Sequence, residues 1–221
     1  MHKAILYFKA VRRNIKYLAF EILYGILVCI IKKSTMSQQR VNEIVKRLEA
    51  VSNMVQSKFS HLTPEQLNKK SSPESWSIAQ CLDHLIVTNK SYYPQFNALI
   101  EGKPIPNLWK SVPVLSRFFG NLLKRSMRPD ETKKFKTQPA FQPSQIDLPP
   151  EIVCRFLESQ TELKVMLYSL SRFDFGKVKI TSPAANFITH SLDDLLEITA
   201  LHEERHLKQA EKVAEQMGFA K

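Results

Sequence analysis

Glycine is scarce in this chain, with five residues in 221. The scarcity weighs against β-rich architectures and against nucleotide-binding designs built on Gly-rich loops, and neither G-x-G-x-x-G nor a Walker sequence occurs. Cysteine is nearly absent as well. Cys29, Cys81 and Cys154 show no C-x-x-C spacing, so they imply reduced thiols and neither a disulfide framework nor a thiolate zinc site. Cys81 falls one helical turn before His84 and reads as a small core residue. Long apolar runs are also missing. The longest, Tyr17 to Ile31, is interrupted by Glu21; as a helix it spans about 22 Å, against a hydrocarbon layer of roughly 30 Å. It is followed by Lys32 and Lys33, where a signal peptide would carry small residues for cleavage.

Positive charge, in contrast, is abundant, with a formal net of +11. It is concentrated in two places. Residues 1–35 hold seven Lys/Arg against Glu21, and residues 103–137 hold nine against Asp130 and Glu131. The rest of the chain has sixteen basic and eighteen acidic residues, so the charge belongs to an extension and a connection. No specific nucleic-acid partner is therefore expected; weak attraction to phosphates or a membrane surface is open to both segments, 1–35 and 103–137, with membrane contact through residues 1–35 as the main expectation. Three readings of that extension stay open: a membrane anchor, a soluble helix, or sequence upstream of a start at Met36. The expected division is an apolar, basic extension over 1–35 and a folded domain over 36–221. The domain is expected in the cytoplasm, anchored to a membrane where the extension inserts.

Helical periodicity dominates the chain after Met36. Val41, Ile44, Val45, Leu48, Val51, Val55 and Phe59 repeat at three and four residues. A second stripe runs from Ile78 through Leu82, Leu85 and Phe96 to Leu99, opened by a capping box of Ser77 and Gln80, with Pro94 as a kink site. Trp76, just before the cap, is placed as a staple. A third helix starts at Pro149 and Pro150, and Ser191 with Asp194 caps a fourth. The connections are long. "VPVLSRFFGNLL" predicts a small helix over the bundle, and "KVKI" a brief extended piece. The expected fold class is all-α, a four-helix bundle with long connections.

The fourth helix contains HEERH, His202 to His206, which matches the H-E-x-x-H zinc-protease signature. Residues four apart share a helix face, so both imidazoles reach one ion, but a site needs a third ligand. Glu211 and Glu215 lie further along the same helix and cannot fold back, no later histidine follows, and no substantial sheet is foreseen, which excludes the protease reading. Imidazoles in an apolar stripe need a partner or a metal. His84 lies on the buried side of the second helix, and pairing that helix with the fourth closes a cluster of His84, His202 and His206. Glu203 and Glu204 point off this face, into solvent or behind the site. His190 is expected at the surface or in the capping region.

The segments "WSIAQCLDHL" and "LHEERHLKQAEKV" resemble the DinB-like (damage-inducible) superfamily of metal-binding four-helix bundles, over about Met36 to Phe219. That superfamily includes bacillithiol-dependent transferases and mycothiol-dependent maleylpyruvate isomerases. The resemblance implies that His84, His202 and His206 are the metal ligands around an open site. The implied cofactor is a divalent ion, zinc or nickel first and manganese or iron next. It implies a small-molecule substrate, with a low-molecular-weight thiol as one class, and a homodimer. Arg205 and Gln209 match positions common in its last helix. The implied function is thiol transfer or metal-assisted hydrolysis, with a non-catalytic metal-stabilised binding or stress-response module as the alternative. "SPAANFITH" and the basic connection over 103–137 depart from the pattern.

Overall fold

The structure is a computed structural model and describes residues 23–24, 35–105, 112–131, 137–145 and 147–219. The expectations for residues 1–35 therefore lie almost wholly outside the described residues. No described helix is long and apolar enough to cross a membrane.

Helix α1 covers residues 35–59 and buries the whole Val41-to-Phe59 stripe. Helix α2, Pro64–Asn68, is a short turn capped by Thr63, with Gln66 returning the bond. Helix α3, Ile78–Ile100, opens on the expected Ser77–Gln80 capping box and continues past Pro94. Helix α4, Pro113–Ser126, is the small helix expected in the long connection. A 3-10 turn follows at Pro139–Phe141. Helix α5, Ile152–Leu170, starts just after the two prolines that block earlier helical hydrogen bonds. Two three-residue strands, β1 (Lys179–Thr181) and β2 (Thr189–Ser191), pair antiparallel with Ile180 opposite His190. Helix α6, Leu192–Gln216, begins at the Ser191–Asp194 capping box.

α1, α3, α5 and α6 form the bundle, and its core falls into two apolar clusters. One joins the end of α1 to α2, the start of α3, the start of α5 and the end of α6, through Phe59, Ile78, Leu82, Leu85, Phe156 and Val213. The other joins the start of α1 to the remaining halves, through Ile44, Leu48, Phe96, Leu167, Ile180 and Leu196. Each fully buried aliphatic or aromatic side chain contributes about 1.5–3 kcal/mol, so these clusters hold the helix register along its whole length. Ion pairs lace α1 to α6 on the outside: Arg40 with Asp193 and Glu197, and Arg47 with Glu197 and both oxygens of Glu204.

α4 lies against β2 and α6 and is held at three points. Ser116 and Thr189 share a hydroxyl hydrogen bond of 2.7 Å, Lys124 pairs with Asp194 at 2.6 Å, and Arg205 of α6 donates to the Ser126 and Arg128 carbonyls. Gly120 permits this approach, since a Cβ there would come within 2.5 Å of the Asp194 carboxylate. The end of α4 thereby becomes one wall of a cleft of about 1860 Å³.

Candidate metal centre

His84 sits in the second turn of α3, and His202 and His206 stand one turn apart near the middle of α6. The close contact of α3 with α6 brings the three together, all buried, at one side of the cleft. One ligand atom from each lies within 4.8 Å of the other two. The Nε2 atoms of His84 and His202 are 3.0 Å apart, and the ring centroids of the three lie 4.5–4.9 Å from one another.

The long connection sets the tautomer of one ring. His84 Nδ1 meets the Phe141 carbonyl, which can only accept, so Nδ1 carries the proton and Nε2 keeps its lone pair toward the other rings. Next to it, the Ser144 amide donates to Asp83 at 2.5 Å and ties the 3-10 turn to the same stretch of α3. Trp76 packs across the cluster, its ring 4.8 Å from His84 and stacked 5.7 Å from His206. The expected staple residue therefore also walls the site.

Burial drives all three imidazoles toward the neutral form. It lowers the His84 pKa to about 4 against a weaker opposing effect from the Phe141 carbonyl. It holds His202 well below the ordinary range, helped by the neighbouring His206 and His84. His206 is lowered by burial and by His84 and Arg205, while a hydrogen bond with Gln209 acts the other way. Neutral imidazoles are the ligating form. His206 Nδ1 is buried with no hydrogen-bond partner, a costly state for a polar nitrogen. Nitrogens bound at 2.0–2.1 Å in a tetrahedral set lie about 3.3 Å apart; one pair here is at 3.0 Å, and all three atoms lie within 4.8 Å of one another. The donor set fits one small divalent cation.

The glutamate of the HEERH sequence does not join this set. Glu203 is fully buried on the flank of α6, about 80° round the helix from the histidines, where Asn89 and Gln160 each donate to its Oε1 at 2.8 Å. The expectation that it leaves the histidine face holds, but it is not solvated, because α3 and α5 close over it. Burial raises its pKa to about 7 against those two hydrogen bonds. Glu204, paired with Arg47, is likewise turned away. His190 corrects the surface expectation: it is wholly buried on β2, 6.2 Å from the Tyr92 ring, because its strand pairs with β1 over the bundle. It stays outside the histidine cluster, as expected.

A family model described as the DinB superfamily matches residues 47–210, which span α1 to α6 and all three histidines. The chain belongs to the DinB superfamily. Among solved structures, this DinB-superfamily chain is similar to YfiT from Bacillus subtilis, with 12% identity and a TM-score of 0.50, over 82% of this chain and 89% of that one. That protein is described as a probable metal-dependent hydrolase with an unusual four-helix bundle topology. At this identity the likeness concerns the fold, and it supports the all-α bundle expected from the sequence. No curated protein matches the chain.

Sequence reasoning missed the Phe141 carbonyl and the Asn89 and Gln160 amides. The first is a backbone atom and leaves no mark in residue identity. The amides did leave one: both sit at inward positions of otherwise apolar stripes, and a buried amide demands a polar partner.

Proposed function

We propose that His84, His202 and His206 bind one divalent cation and that the chain is a metal-dependent hydrolase. The observation that carries this reading is the convergence of three buried, neutral imidazoles on one point beside the cleft, one of them with an orphaned nitrogen. When bound, such an ion supplies a Lewis acid and lowers the pKa of a nucleophile to near neutrality. The chain's own residues orient and enclose. Phe141 fixes the His84 ring, Trp76 screens His84 and His206 from solvent, and Arg205 holds the α4 wall through backbone carbonyls. His84, His202 and His206 all line the cleft, whose volume exceeds the roughly 300–1,000 Å³ of a typical small-ligand pocket, so the centre opens onto space for a substrate. The description of YfiT as a probable metal-dependent hydrolase points the same way.

A second reading, metal-dependent transfer of a low-molecular-weight thiol, draws on a specific feature. The HEERH glutamate is held away from the site, so no HEERH carboxylate is available as general base, and a thiol is acidic enough to need none. The deciding experiment loads the chain with zinc, nickel or manganese. It then measures turnover of ester, amide and thiol-plus-electrophile substrates, with and without chelator. Hydrolysis that chelator abolishes and metal restores supports the first reading. Turnover only with added thiol replaces it with the second, and none with any metal rejects both.

A further inference from the structure

α4 carries a second feature, on the side away from the cleft. Val114, Phe118 and Leu122 recur every fourth residue and are 79%, 59% and 49% exposed. Phe187, from the turn between β1 and β2, extends this stripe and is 49% exposed. Its ring lies 5.9 Å from Phe119, which in turn contacts Phe118 at 5.4 Å. Scattered exposed apolar residues need no explanation, but a continuous group of this kind on one helix does.

Arg117, Arg125 and Arg128 border the stripe, are exposed, and make no ion pair among the described residues. Residues 112–128 contain four basic residues and no acid. Charge then discriminates between occupants. A second copy docking by the same patch would set these arginines against their own kind. The extension over 1–35, with seven basic residues against one Glu, would do the same. A nucleic acid would satisfy the arginines but leave the phenylalanine and leucine in water. We propose that this face of α4 docks on an anionic lipid bilayer, with Val114, Phe118 and Leu122 in the headgroup region and the arginines on lipid phosphates and carboxylates.

The placement of the chain agrees with this. The start of α1 lies near α4: Arg40 of α1 pairs with Asp193, the neighbour of the Asp194 that holds α4 through Lys124. α4 is too short to span a bilayer, so it lies on the surface.

The test is flotation of the full chain with vesicles of phosphatidylcholine containing about 30% phosphatidylserine, against phosphatidylcholine alone. Phe118→Ser with Leu122→Ser, and separately Arg117→Glu with Arg125→Glu, each lower binding to the anionic vesicles by roughly tenfold or more. Residues 1–35 are common to all these proteins, so a difference between parent and variants reports on α4. His206→Ala leaves binding unchanged, which separates this surface from the metal site. All four positions are exposed, and an unchanged helical circular dichroism spectrum checks the fold. Absence of binding by the parent chain overturns the proposal. So does equal binding by the variants, or a dimer that the Phe118→Ser/Leu122→Ser pair dissociates without any vesicle binding.

Discussion

His202 and His206 leave α6 on one face and Glu203 leaves it about 80° round the helix, and both faces are buried. Burial alone therefore does not mark a functional group. On the Glu203 side, two amides donate to one carboxylate oxygen and tie α3, α5 and α6 together, while Glu203 Oε2 and Gln160 Oε1 are buried with no hydrogen-bond partner. On the histidine side three imidazoles bring one ring nitrogen each within 4.8 Å of the others, and His206 Nδ1 has no hydrogen-bond partner. Orphaned atoms occur on both sides, so what sets the histidines apart is that three ligating groups from two helices converge on one point beside the cleft.

The largest effect expected is at the histidines. His202→Ala removes a ligand and should weaken divalent-metal binding by more than roughly 100-fold, beyond the usual cost of losing an outer hydrogen-bond partner. Competition titration with a metal indicator measures it, and apo-state stability should change little. Glu203→Ala sharpens the comparison from the other face. It leaves the Asn89 and Gln160 donors unpaired in a cavity and should destabilise the fold by about 2–4 kcal/mol by urea unfolding, while metal stoichiometry stays the same. A Glu203→Ala protein that lost its metal but kept its stability would reverse the roles assigned to the two faces.

Gly120→Ala tests the α4 wall of the cleft on the histidine side. The added methyl meets the Asp194 carboxylate, so a loss of about 1–3 kcal/mol is expected, detectable as a lower Tm. The smallest effect lies outside the bundle core. Burial tends to raise the Glu197 pKa, but hydrogen bonds from Arg47 and Arg40 outweigh it and hold it below the ordinary value. A carboxylate depressed in the folded state contributes stability above its unfolded pKa and loses it as pH falls through the folded one. Arg47→Ala should therefore cost about 1 kcal/mol at neutral pH, and the gap to the parent should close below about pH 4.

Much of this architecture is legible in the sequence because it rests on local rules. The Ser77–Gln80 and Ser191–Asp194 boxes start α3 and α6 at the expected residues, and the α1 stripe is buried throughout. The histidine cluster is legible because four-residue spacing on α6 and a buried histidine on α3 leave few ways to satisfy three imidazoles. Phe141 escapes such reasoning, since its contribution is a carbonyl delivered by a turn 57 residues along the chain from His84. His190 escapes for a related reason: its burial depends on a three-residue strand finding β1, a pairing with almost no local signal.

The most direct measurement is the metal content of the untagged protein by elemental analysis, beside His206→Ala. Close to one divalent ion per chain is expected in the parent and none in the variant. A parent chain that remains metal-free after incubation with zinc, nickel and manganese, or a variant that keeps its ion, would contradict a three-histidine metal centre.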